Sequence, residues 1–339
     1  MKKSKKALAL GVTLLALGAT ACAAKDTKSV QSTAATTESA ASAGESTAAE
    51  SQGATESQGT ATEPSESLAE ANTGLSADSR VVALSRSLGE LWLLAGGKLV
   101  GVTEDGLNLE GVTAETASVG RILAPSTEAI IALNPDLVLI APDISAQREV
   151  QETLAAAGIR CQAVDINKFS DYAAAMKQYT EATGRSDLYE SNVSAVEKKI
   201  EKIKAELPEE IHGKTFLVIR ASAAKTRVLK SDHFVVAMLE DLGLTNAAPE
   251  SLLEQLSMEG MVEANPDYLF VVLQGDTAEA EAAFQELISD QPAYRELKAV
   301  KTAQVYTLPK EFFQYKPNAR WDEAYVLLSE YLRRASLKQ

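Results

Sequence analysis

Two glutamates at matched positions, and a scattered set of cations and rings, are the residues through which this chain could act. "STEAIIALNPDLVLI" begins at Ser126 and "SMEGMVEANPDYLFV" at Ser257. Ser126 and Ser257, Glu128 and Glu259, and Asp136 and Asp267 are each 131 residues apart. A serine ahead of a helix accepts a hydrogen bond from a first-turn amide, and an acid in that turn meets the positive end of the helix dipole. Asn-Pro-Asp then stops the helix and launches a strand. Capping accounts for the serine and proline. It accounts less well for two glutamates at one offset, since several first-turn positions would serve.

The second set is cationic and aromatic. Arg86, Ser87 and Arg121 follow apolar runs early in the chain, with Glu104 and Asp105 after another. Arg220, Arg227, Lys230 and His233 follow a later run, and "FFQYKPNARW" adds Phe313, Tyr315, Lys316, Arg320 and Trp321. Guanidinium groups pair with oxyanions through charge-assisted hydrogen bonds, and rings cover flat faces. That chemistry suits an anionic ligand. For Arg86 and Arg227 a solvated surface charge is an equal reading. For His233 the better reading is the cap of a helix behind Asp232. Only His212 and His233 are present, so a bare zinc or manganese site is not expected.

These residues need a frame. From Arg80 onward, apolar runs such as "RVVALS", "LVGVTE" and "DLVLIA" alternate with amphipathic stretches such as "AQREVQETLAAAG". Repeated strand–helix units imply a parallel sheet covered by helices. Val193, Val196, Ile200 and Ile203 recur every three or four residues, which predicts one long helix over 186–207, ended by Pro208. Beyond it the strand–helix pattern restarts. The expected fold is α/β: two Rossmann-like lobes with mainly parallel sheets, joined by a single long α-helix. The boundaries are 78–185 for the first lobe, 186–208 for the helix and 209–339 for the second lobe. In open sheets of this kind ligands bind beyond the carboxyl ends of the strands, where the cations above fall.

The first 22 residues, "MKKSKKALALGVTLLALGATAC", read as an export signal: four lysines, a short apolar stretch, then small residues before Cys22. This resembles a bacterial lipobox, whose cysteine is lipidated. Residues 23–77 are rich in Ser, Thr, Ala and Glu with few large apolar side chains, and read as a disordered acidic spacer. If Cys22 carries lipid, Cys161 has no disulfide partner. The net charge of −14 argues against nucleic acid, which needs a basic face, and against an electrostatic grip on anionic lipid.

"RVVALSRSLGELWLLAGGKLVGVT" with "SVGRILAPSTEAIIALNPDLVLIA" is similar to the first lobe of class III substrate-binding proteins, which serve ABC importers of iron-siderophores, haem and cobalamin. "LGLTNAA", "LSMEGMVEANPDYLFVV" and "AVKTAQVYTLPKEFFQYKPNARWDEAYVLLSEYL" resemble its second lobe. The resemblance runs from about Arg80 to Leu332. It implies a ligand cleft between the lobes, limited hinge closure about the long helix, and one surface Glu per lobe docking on basic residues of the permease dimer. By motif those are Glu128 and Glu259. It further implies a monomer, while the leader and Cys22 imply anchoring by lipid on the extracytoplasmic face of the cell membrane. Its partners would be an importer permease with its ATPase.

The expected cargo is a ferric siderophore, usually anionic, held by some of Arg86, Ser87, Arg121, Arg220, Arg227, Lys230, His233, Tyr315, Arg320 and Trp321. Haem would use the same features, whereas a near-neutral corrinoid has less need of arginines. No resident cofactor is expected. An enzyme is the main rival, but GxGxxG after a strand, a P-loop and GxSxG are all missing, and Cys161 sits within an apolar run. The other rival is a surface lipoprotein on this scaffold with no small ligand.

Overall fold

The computed structural model describes residues 74–248 and 256–336. The leader, Cys22 and most of the spacer lie outside the described residues.

Two parallel sheets organise the chain. The first contains β1 (Val81–Ala83), β2 (Leu99–Val102), β3 (Ala117–Ser118), β6 (Leu137–Ile140) and β7 (Cys161–Ala163), in the order β3-β2-β1-β6-β7. β1 and β6 are wholly buried, as expected for central strands covered on both faces. Val81 and Ala83 alternate with Val82 and Leu84 between two cores, which explains the unbroken apolar runs. The "ASVG" segment is divided between two pairings. Ala117–Ser118 joins the sheet, while β4 (Gly120–Arg121) pairs antiparallel with β5 (Ala124–Pro125). Gly120 makes that turn possible: its φ is +93°, and a Cβ there would lie 2.9 Å from the Ala124 carbonyl oxygen.

The second sheet has β8 (Thr215–Ala221) beside β11 (Tyr268–Leu273), flanked by β10 (Thr245–Asn246) and β12 (Val305–Leu308). β9 (Thr226–Val228) folds back antiparallel on the end of β8.

The helices that position the site are α1 (Arg86–Leu94), α2 (Thr127–Ala132), α3 (Ser145–Ala156) and α4 (Phe169–Thr183). Between the sheets run α5 (Ser186–Tyr189), a π-helical turn over Glu190–Ser194, and α6 (Ala195–Ala205). The π turn is marked by the Ala195 amide, which donates to the Glu190 carbonyl five residues back. It is tied to first-lobe helices: Asn192 Nδ2 donates to Leu94 O at 3.0 Å, and the Tyr172 hydroxyl to Asn192 O at 3.1 Å. Val193, Val196 and Ile200 are buried in the stripe the spacing predicts.

The second lobe adds α7 (Phe234–Asp241), α8 (Met258–Ala264), α9 (Thr277–Phe284), α10 (Lys298–Lys301), α11 (Lys310–Phe313) and α12 (Trp321–Ser336). The largest core is continuous between the lobes, running from Leu137 and Trp92 through Tyr172 and Ile200 to Phe234, Trp321 and Phe270. Among the described residues no helix is long and apolar enough to cross a membrane.

Candidate ligand-binding site and docking face

From β1 the chain moves outward to β2 and β3 on one side, and later to β6 and β7 on the other, so the order reverses between β1 and β6. Loops beyond that reversal form the natural crevice of such sheets. Ser85 follows β1 and caps α1, its Oγ accepting from the Leu88 amide at 3.3 Å. Asp105 Oδ2 accepts from the Arg86 amide at 3.0 Å, and Oδ1 accepts from the Thr103 hydroxyl at 2.6 Å. This acid is therefore occupied in holding the start of α1.

Gln147 fixes the same corner and is fully buried. Its amide donates to Leu84 O at 2.7 Å and Ile122 O at 3.1 Å, while its Oε1 accepts from the Ala141 amide at 2.8 Å. One side chain thus ties together the ends of β1 and β6 and the β4–β5 turn.

A second-lobe segment leans on this corner. The Lys316 amide donates to Ser87 Oγ at 3.2 Å, and Arg86 stands 5.7 Å from the centre of the Tyr315 ring. Asn318 is fully buried, and its Nδ2 donates to Ser87 O at 3.0 Å and Glu90 Oε2 at 2.8 Å. Lys316 Nζ donates to Ile166 O and lies 5.2 Å from the Phe234 ring centre. Burial lowers the Lys316 pKa, against the pull of Asp143, Asp165 and Asp171.

His233 caps α7, with Nδ1 accepting from the Val235 amide at 3.3 Å, and its ring stacks on Phe234 at 4.8 Å. Burial, Lys316 and Arg227 bring its pKa down to about 3. The imidazole is therefore neutral, with its proton on Nε2, and offers a hydrogen-bond donor.

Arg86, Ser87, Tyr315, His233 and Arg227 thus gather around Lys316 and Phe234. Arg220 faces Arg227 across the β8–β9 pair. Arg121, in the β4–β5 hairpin, and Lys230 are exposed; among the described residues Lys230 touches this group only through its carbonyl oxygen, which accepts from the His233 amide at 3.0 Å. The side chains of Arg121, Arg220, Arg227 and Lys230 have no hydrogen-bond or ion-pair partner among the described residues. Trp321 is fully buried against Phe169, Tyr172 and Phe234, so its indole is a core ring rather than a cleft wall. Arg320 makes a two-point bond to Glu323, at 3.0 and 2.8 Å, and lies over Phe312 at 4.2 Å.

Gln147, Asn318 and Phe234 are not apparent as site residues from the sequence. Asn318 gave a faint signal, because asparagine behind proline tolerates the left-handed backbone it adopts, with φ +50°. A hollow of about 400 Å³ lies apart from the strand ends, between α6, α7 and Tyr325. Much of its polar lining is paired: Lys204 with Glu201 and Asp241, Tyr325 with Asp241, and Ser231 with Glu240. It is therefore the weaker candidate.

The repeated motif forms one structure twice. Ser126 Oγ accepts from the Ala129 amide at 3.2 Å and Ser257 Oγ from the Gly260 amide at 3.1 Å. Glu128 and Glu259 are exposed in the first turns of α2 and α8. Asn134 and Asn265 have φ +43° and +35°. Asp136 and Asp267 each accept from the residue before or at the start of the neighbouring strand, Arg80 at 2.7 Å and Thr215 at 2.8 Å.

Residues 81–312 match the family described as periplasmic binding protein. The chain belongs to the periplasmic binding protein family. That is a family of solute-binding proteins, not enzymes, and it agrees with the class III likeness of the motifs. An iron-uptake system-binding protein of Bacillus subtilis (strain 168) is 25% identical over 200 residues, which is 58% of this chain and 62% of that protein. Among solved structures, S. aureus IsdE complexed with heme is similar at a TM-score of 0.65 and 18% identity, covering 75% of this chain and 99% of that one. The triscatecholate siderophore binding protein FeuA from Bacillus subtilis, complexed with Ferri-Bacillibactin, is similar at a TM-score of 0.62 and 20% identity, covering 77% and 94%. At these identities the two structures speak for the fold of this binding protein.

Proposed function

We propose that this protein is a lipid-anchored, extracytoplasmic binding protein that captures an anionic iron complex, foremost a ferric siderophore. It would deliver that complex to the permease dimer of an ABC importer. The observation that carries the reading is the cation-and-ring group at the junction of the two lobes, on a chain whose net charge is −14. Arg227 is unpartnered among the described residues, Arg86 faces Tyr315, and His233 Nε2 offers a donor beside them. Such donors suit the oxygen-rich rim of a ferric chelate. The iron-uptake relative supports the same cargo class. The lipid anchor rests on the leader and Cys22, and the monomeric state on the class III resemblance.

Haem is the second reading, favoured by the likeness to heme-bound IsdE. Against it, His233 Nδ1 is committed to capping and Nε2 carries the proton, so iron ligation would first require breaking the cap.

Native mass spectrometry of the purified protein with ferric tris-catecholate, ferric tris-hydroxamate, haem and cobalamin in one mixture tests this. A retained one-to-one ferric catecholate or hydroxamate complex is expected. Retention of haem or cobalamin alone would replace the cargo. Retention of none would favour a surface protein without a small ligand.

A further inference from the structure

The helices that carry Glu128 and Glu259 each leave one large apolar side chain in water. Ile131 is 42% exposed and Val262 is 46% exposed. They too stand 131 residues apart, each three residues beyond its glutamate, so acid and aliphatic group share one helix face. Both helices have a serine cap, a left-handed asparagine at the end, and an aspartate bonded to the neighbouring strand. Each acid–aliphatic pair therefore occupies the same place relative to its own sheet.

The carboxylates of Glu128 and Glu259 have no hydrogen-bond or ion-pair partner among the described residues. Single exposed aliphatics are ordinary. Two at one offset, each beside a matched bare acid, form a repeated surface. In the second lobe Met258, Val262 and Ala293 line a hollow of about 400 Å³, with Glu259 and Glu263 also on its wall. The first lobe has Thr127 and Ala132 at the positions matching Met258 and Glu263.

We infer that Ile131 and Val262 are apolar anchor points of the docking face, each seated beside a cation in an apolar recess on one of two like subunits of the partner. The inference rests on the proposed permease dimer as that partner. The two glutamates orient the encounter and raise the association rate. The aliphatic contacts exclude water once the surfaces meet and slow dissociation. A repeated acid–aliphatic pair fits a partner offering one cation and one recess twice. The second lobe accepts the larger apolar group, through Met258 and Ala293.

The test uses cells whose own copy is deleted and replaced by the full-length chain, fed radiolabelled ferric tris-catecholate. Retention of the same complex by purified protein is measured in parallel. Ile131→Gln with Val262→Gln is expected to cut uptake about tenfold or more, with retention unchanged. Ile131→Val with Val262→Ile, which keeps both faces apolar, is expected to transport as wild type. Wild-type uptake in the glutamine pair, while Glu128→Gln with Glu259→Gln is impaired, overturns the inference and leaves acid docking in place. Lost retention in the glutamine pair, or failed transport by the swapped aliphatic pair, also overturns it. If the acid pair transports normally, the docking reading itself fails. If the wild-type chain transports nothing, the ferric reading fails.

Discussion

The Asp267 carboxylate and Thr215 hold each other reciprocally. Asp267 Oδ2 accepts from the Thr215 amide at 2.8 Å and from its hydroxyl at 3.0 Å, while the same hydroxyl oxygen accepts from the Asp267 amide at 3.0 Å. Lys298 adds an ion pair at 2.6 Å. In the first lobe Asp136 bonds the backbone of Arg80 and meets Arg160: Oδ2 accepts from the Arg80 amide at 2.7 Å, the Asp136 amide donates to Arg80 O at 2.8 Å, and the Asp136 carbonyl accepts from Arg160 Nε at 3.3 Å.

Asp267→Asn should therefore destabilise the protein by about 2 kcal/mol at neutral pH, and Asp136→Asn by about 1 kcal/mol. Burial works to raise the Asp267 pKa, but Lys298 and Thr215 outweigh it and hold the carboxyl below the usual range. Its stabilising contribution is present above the unfolded carboxylate pKa and fades as pH falls through the folded value. Urea midpoints from neutral pH to pH 2 should show that acid-dependent loss in the wild type and less of it in Asp267→Asn. Parallel curves would remove the assignment.

Asn318 joins the lobes from a left-handed backbone position. Asn318→Ala should cost about 2–3 kcal/mol, because it loses two bonds and replaces asparagine, which tolerates a φ of +50°, by a residue that tolerates it less. Asn318→Gly should recover roughly 1 kcal/mol of that. Equal stability for the two variants, read by denaturant unfolding, would show that the backbone is not strained there.

His233 is held at a pKa of about 3 against 6.5 in an ordinary setting. Its folded pKa is depressed, so the unfolded chain binds its proton first as pH falls. Stability contributed by neutral His233 is whole above pH 6.5 and is lost progressively toward pH 3. His233→Gln should flatten the stability–pH curve in that window, as followed by thermal melts at fixed ionic strength. An unchanged slope would mean other groups carry the acid sensitivity.

Arg86→Ala and Arg227→Ala should each weaken ferric catecholate binding about tenfold, with the Arg227 effect shrinking more at high salt because that side chain is exposed. Isothermal titration at low and high salt separates the two. Unchanged affinity in both variants would take them out of the crevice.

The repeat was legible because its parts act locally. A serine cap, a first-turn acid and a left-handed asparagine before proline all operate within a few residues, and the spacing exposes them. Lys316 and Arg86 were legible as cations near strand ends. Gln147 and Asn318 were not, because Gln147 reaches Leu84, 63 residues away, and Asn318 reaches Ser87, 231 away. No local pattern reports such pairings. Trp321 reads from the sequence as a ligand-facing ring for another reason: a ring behind a cationic segment suits a ligand face or a core equally, and only the packing of Phe169, Tyr172 and Phe234 decides for the core.

The π turn at Glu190–Ser194 bears on which insertions and deletions the chain can tolerate. Elsewhere in a helix, removing one residue swings everything downstream by about 100° and would pull Val196 and Ile200 off their core face. Here the surplus residue is already absorbed in a wider turn. Excising Ser191, whose side chain is exposed, would let the turn close to a regular α-helical one with the buried stripe still facing inward. In relatives of this chain, length differences within the linking helix should therefore collect at this turn.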